Sequence, residues 1–342
     1  MGVFRKTERE SMPGVTRDEK GWRAGGSLLR VNFLKAGEND YRRQPLSPSS
    51  LIGMISNPDL IRCRARTMPS EETLEGIVTH RLIAKFNRVP GVEEVEKEWE
   101  EVLSEMVVKR KLRGRAKTDF VEEHKLEGEG REKVMSMLAN YKGALGRISR
   151  GFSHLGLSKE ERFLAEIGVS GGVKTINRLD GMRASGRSVL VAGVQDQRRS
   201  NDQGRTKLID LKRSSGRGST ALQLMLEGVC SGLSEFPELL EIELSSGKII
   251  SHQSSCPEET IGALEQILGW ADVVRGAYRP PRMKGARSQS KLGMIPMSQI
   301  LDQADPVIIS SQSGKEYTPR QAIEQTQSAF KRFLGTMKRI EI

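Results

Sequence analysis

The feature that most constrains what this chain can fold into is a change of hydrophobic period near Phe163. Before it, apolar residues recur at helical spacing: Leu74, Ile77, Val78, Leu82 and Ile83 follow Pro69-Ser70-Glu71-Glu72, and Val134, Met137, Leu138, Tyr141, Leu145 and Ile148 repeat further on. After it, short β-type runs take over at 164–169, 173–182, 188–194 and 207–211. They are separated by Gly171-Gly172, by Gly186 and by a polar stretch, 195–205, that reads as a loop. A chain that changes period in this way is expected to be α/β, with helices packed on a sheet.

Local signals fill in the remaining elements. Ser47 and Pro48 mark a helix start, since a serine at the N-cap accepts from the first turn and proline there loses no bond. Helices are expected over 92–111, 131–150, 219–230, 257–275 and 318–338, and a hairpin over 239–244 and 248–252 around Ser245-Ser246-Gly247. The expected organisation is a mobile basic tail (1–45), a helical part (46–162), a core (163–256) and C-terminal helices joined by a basic linker with Pro280 and Pro281 (257–342).

One strand closes with Ile209-Asp210-Leu211-Lys212, and alternation puts Asp210 and Lys212 on the same face. A carboxylate and an ammonium pointing into one site suit phosphodiester hydrolysis. The carboxylate can hold Mg²⁺ or Mn²⁺, and the lysine can orient or deprotonate the attacking water.

The order of motifs resembles the RecB-like, exonuclease V-like branch of the PD-(D/E)XK nucleases. The matching residues are Leu46, Ser47, Ser49 and Leu51 on a first helix, and Gly76 and His80 on a second. Glu166 follows on a strand, then Asp180 at a strand end, then Asp210 and Lys212, and finally Gln223-Leu224 on a helix. The resemblance implies a restriction-endonuclease-like core, a mixed sheet of about four or five strands flanked by helices. It implies that Asp180, Asp210 and His80 hold Mg²⁺ or Mn²⁺ and that Lys212 handles the water. Gln223 would brace the site or contact DNA, and Glu166 would be a supporting carboxylate. Asn177 stands where the family usually has glycine, and Glu227 where it often has tyrosine. Three scattered cysteines, Cys63, Cys230 and Cys256, cannot supply the four-cysteine iron–sulfur cluster of many relatives, so none is expected.

A net charge of +11 favours a polyanionic partner. Lys109, Arg110, Lys111, Arg113 and Arg115 form one basic run, and Arg213 precedes, and Arg217 lies within, a Gly-containing segment leading into a helix. Both are expected to contact DNA phosphates, with single strands or strand ends favoured, and a helicase or recombination partner would fit such an enzyme. No apolar stretch has the length of a membrane span, and the cysteine usage suits a reducing intracellular compartment: cytoplasm or nucleoid, with organelle and nucleus left open. The expected activity is a DNA nuclease, with exonuclease action favoured. An inactive nucleic-acid-binding scaffold of the same fold and an RNA endonuclease of the same chemistry are the alternatives.

Overall fold

The computed structural model describes residues 10–34, 45–56, 70–86, 88–148, 158–169, 173–177, 181–184, 188–201, 205–214, 219–277, 307–310, 316–317 and 319–342. In chain order the elements begin with β1 (Thr16–Asp18), β2 (Gly21–Ala24) and β3 (Ser27–Phe33). Five helices follow: α1 (Pro48–Ser56), α2 (Glu71–Lys85), α3 (Val92–Arg110), α4 (Arg115–Glu123) and α5 (Gly128–Ile148). Then come β4 (Ser158–Gly168), β5 (Val173–Asn177), β6 (Gly181–Ala184), β7 (Ser188–Ser200), β8 (Thr206–Lys212), α6 (Ser219–Cys230), β9 (Glu238–Glu243) and β10 (Lys248–Ser254). The chain closes with α7 (Pro257–Ala277), β11 (Val307–Ser310), β12 (Glu316–Tyr317), α8 (Pro319–Thr336) and β13 (Met337–Glu341).

The architecture is α/β. A nine-stranded sheet runs β1-β2-β3-β4-β7-β8-β9-β10-β13, and a smaller one runs β12-β11-β5-β6. Among the described strand pairs of the large sheet only β8 and β9 are parallel, with Asp210 beside Glu241, and α6 makes the crossover between them. Alternation along β8 divides the core. Leu208 faces a layer of α1, α6, α7 and α8, whereas Ile209 and Leu211 face α2 to α5. All of α6 is buried except Ser219 and Gln223, so its apolar all-round sequence fits a helix covered on every side. Among the described residues no helix is long and apolar enough to cross a membrane.

Several local expectations hold. Ser47 caps α1 by accepting from Ser50 N at 3.1 Å, with Pro48 the first helical residue, and the β9–β10 hairpin closes on Gly247, whose φ of 71° is left-handed backbone that glycine adopts without strain.

Other expectations are corrected. The sheet is larger than four or five strands because both ends of the chain join it. Residues 16–24, expected to belong to a mobile tail, form β1 and β2 and join the sheet through β3, with Trp22 and Leu29 fully buried and Trp22 Nε1 donating to Val229 O of α6 at 2.9 Å. The last helix stops at Thr336, and β13 then pairs with β10. The single strand expected over 173–182 is instead β5 and β6, paired antiparallel from Asn177↔Gly181. The polar stretch after Val194 is not a loop up to Arg205, because β7 continues to Ser200. The basic run closes α3 and opens a short helix, α4, that periodicity did not predict.

Replacing Trp22 with alanine removes a fully buried indole and its bond to α6. Chemical denaturation of the variant is expected to show a loss of about 3–5 kcal/mol; a loss within experimental error would mean that the N-terminal strands are not part of the core.

Candidate functional site

The site forms where β7 and β8 part. Their backbone ladder runs from Ser200↔Thr206 to Gln197↔Ile209 and ends there, so the next residues, Asp196 and Asp210, face each other without ladder bonds. Leu211 N, which a continuing ladder would occupy, donates instead to Asp196 Oδ2 at 2.9 Å. The strand also turns about this point. Gln195 and Gln197 would share a face in a regular strand, yet Gln195 reaches Glu227 O on α6 and Gln197 reaches the Tyr141 hydroxyl on α5.

Asp210 is buried at 1% exposure, and its surroundings are polar and specific. Lys212 Nζ lies 2.8 Å from its Oδ2 and 3.2 Å from its Oδ1. Gln223, in the second turn of α6, accepts from Lys212 Nζ at 3.1 Å and donates to Asp210 Oδ1 at 3.0 Å. One turn later Glu227, also buried, accepts from Gln223 Nε2 through Oε1 at 3.0 Å. Its Oε2 is buried with no hydrogen-bond partner, and Asp210 Oδ2, despite the ion contact with Lys212, has no well-angled hydrogen bond. From the opposite helix layer, His80 of α2 brings Nδ1 to 3.7 Å from Asp196 Oδ2.

Three carboxylates thus face one ammonium, and the electrostatics follow. Burial pushes the Asp210 carboxyl well above the usual carboxylate range, with the charge of Asp196 adding to it and Lys212 opposing it. Burial likewise raises Glu227, followed by the charge of Asp210. Burial alone would lower Lys212, but Asp210 outweighs it and holds the ammonium protonated above its ordinary value. On the far side of Asp210, Glu241 is matched by His252 Nε2 at 2.9 Å and by Arg339 at 3.6 Å, so β9 and its neighbours balance their own charge.

The structure brings together Asp210, Lys212, Gln223 and, through Asp196, His80. It does not bring Glu166 there: that residue accepts from Ser188 and pairs with Leu190, six residues or about 20 Å along β7 from Asp196. Asp180 lies outside the described residues, and the strands flanking it pair in the smaller sheet rather than beside β8. The carboxylate next to Asp210 is Asp196, which sequence reasoning missed because Gln-Asp-Gln-Arg-Arg-Ser reads as a loop. Apolar alternation fails there because the residues face the site and polar partners, and the only usable signal was continuity with the β-run before it.

Among the expected DNA contacts, Lys109, Lys111, Arg113 and Arg115 are exposed around the end of α3 and the start of α4, with Arg110 half-buried beside them. Arg213 is instead engaged by buried Glu75 at 2.7 Å and by Glu72 at 3.2 Å, while Arg217 lies outside the described residues.

The donor chemistry suits a hard divalent cation: hard carboxylate oxygens, an imidazole, and excess negative charge with a buried oxygen left unmatched. Among the described residues, no three His, Cys, Asp or Glu side chains converge closely enough to hold an ion as they stand. Lys212 occupies the position between Asp210 and Gln223.

Because Asp210 and Glu227 have raised folded-state pKa values, the folded chain binds more protons than the unfolded chain above the ordinary carboxylate range, and stability falls as pH rises through that interval. In EDTA, Asp210→Asn is therefore expected to gain in melting temperature over wild type as the pH is raised above the ordinary carboxylate range. Melting curves that stay parallel above that range would contradict the assignment. The site has to be understood from its own chemistry, since the chain matches no family model and no curated protein.

Proposed function

We propose that this chain is a divalent-metal-dependent nuclease that hydrolyses DNA phosphodiesters, with a restriction-endonuclease-like core formed by β4, β7, β8, β9 and α6. The observation that carries the reading is the meeting of Asp210, Lys212 and Gln223 in one hydrogen-bonded group at a strand opening, with Asp196 opposite and His80 beside it.

In this reading Asp210 and Asp196, with His80, hold Mg²⁺ or Mn²⁺. The bound cation would supply charge stabilisation at the phosphoryl oxygens and acidify a water. Lys212, kept protonated by Asp210, donates to the scissile phosphate or to the incoming water and fixes its line of approach. Gln223 keeps the lysine and the aspartate in register by accepting from one and donating to the other. No iron–sulfur cluster enters this scheme.

The exposed basic turn between α3 and α4 supplies phosphate contacts. Arg81 of α2 pairs with Glu105 of α3, and Lys85 with Glu98 and Glu101, so the helices run antiparallel. The basic end of α3 consequently lies toward the first half of α2, where Glu72 and Glu75 hold Arg213 next to Lys212. A strand end crossing that turn would arrive at the site, which favours exonuclease action in recombination, repair or genome processing.

End-labelled single- and double-stranded DNA incubated with Mg²⁺ or Mn²⁺ tests the proposal. Wild type is expected to cleave and EDTA to abolish cleavage, with Asp210→Asn, Asp196→Asn and Lys212→Ala each losing at least about 100-fold. Retained DNA binding without cutting under any metal would favour the inactive scaffold, the reading to which the unconverged donors lend weight. Faster cutting of RNA would favour the RNA endonuclease.

A further inference from the structure

Helix α6 poses a problem that the proposed chemistry does not solve. Its sequence, Ser-Thr-Ala-Leu-Gln-Leu-Met-Leu-Glu-Gly-Val-Cys, is almost wholly apolar and buried, yet it carries a carboxylate at position 227 that is 1% exposed. A buried carboxylate is costly unless its oxygens are matched. Here one oxygen accepts from Gln223 and the other has no hydrogen-bond partner, while the charged groups acting on it include two further carboxylates, Asp210 and Asp196. The next residue, Gly228, packs closely against Phe236, where an added Cβ would meet the ring at 2.9 Å, so this turn of the helix is tightly seated.

We propose that Glu227 is a third carboxylate of the cation site, delivered from α6 rather than from the sheet, with its unmatched Oε2 reserved for a divalent ion or for a water that the ion carries. This deepens the nuclease reading and rests on it. A hard cation satisfies an oxygen that no described protein group satisfies, and it offsets the charge excess of three carboxylates over one ammonium. A glutamate present only to accept from Gln223 would behave differently, since glutamine keeps that carbonyl acceptor and loses only the charge and the second carboxylate oxygen.

The test is Mn²⁺ binding by the full chain, stripped with EDTA and followed by titration calorimetry and by the shift in melting temperature, with no nucleic acid present. Glu227→Gln is expected to melt in EDTA at or above the wild-type temperature, to bind Mn²⁺ at least about tenfold more weakly, and to lose most of the stabilisation that Mn²⁺ gives wild type. If Glu227→Gln does not fold, Glu227→Asp carries the test; it keeps the charge on a shorter stem and is expected to weaken binding by a similar factor. Affinity equal to wild type in the folded variant overturns the inference, as does a wild type that binds no Mn²⁺. DNA cleavage measured in parallel separates the two claims: cleavage with unchanged Mn²⁺ affinity in Glu227→Gln removes Glu227 from the site and leaves the nuclease standing. Weakened Mn²⁺ binding without wild-type cleavage keeps the cation site and removes the nuclease.

Discussion

Everything at the site depends on the separation of β7 from β8 beyond the Gln197↔Ile209 pair. A continuous ladder would leave no space for side chains between the strands, and Asp196 and Asp210 would stand as neighbouring residues on a closed sheet. Because the ladder stops, an amide at Leu211 needs an acceptor, and the Asp196 carboxylate provides it from the side chain. That bond anchors one carboxylate, while pairing with β9 as far as Lys212↔Glu243 holds the end of β8 that carries Lys212.

The two helix layers then act on different halves of the opening. From one face α6 supplies Gln223 and Glu227, both reaching toward Asp210 and Lys212; from the other α2 supplies His80, which approaches Asp196. The N-terminal hairpin strengthens the first layer, since Trp22 is bonded to the last turn of α6. The second layer is tied to the sheet by the Glu75–Arg213 ion pair, in which a buried carboxylate meets the residue next to Lys212. The surplus of carboxylates is thus confined by packing, and its cost is carried by a core that is apolar on both faces of β8.

Much of this was legible in the sequence wherever one local period ran undisturbed. Helices α2, α3 and α6 and the β9–β10 hairpin follow from apolar spacing, a capping serine and a turn glycine. Asp210, Lys212 and Gln223 follow because a two-residue strand alternation and a buried helix leave little freedom. Legibility failed where polar residues are made structural by partners distant in sequence. Asp196 sits in a stretch with no apolar alternation, since Gln195, Gln197 and Asp196 are bonded to α6, α5 and β8. Glu227 looks like a departure from a pattern until it is seen to share the Gln223 amide with Asp210 while its other oxygen lacks a hydrogen-bond partner. Residues 16–24 are polar enough to read as a tail, and only their pairing with β3 and their packing on α6 make them strands. Glu166 fails for the converse reason, because a motif order cannot report distance along a strand.

In the proposed nuclease, Asp196 and Asp210, on opposite sides of the strand opening, would hold one divalent ion beside Lys212. A crystal structure of the chain with Mn²⁺ and an uncleavable phosphorothioate oligonucleotide, read by the anomalous signal of the manganese, tests this. A peak at both aspartates with a phosphate of the oligonucleotide beside it is expected. A fully occupied peak elsewhere, or an oligonucleotide bound away from the β7–β8 opening, would contradict it.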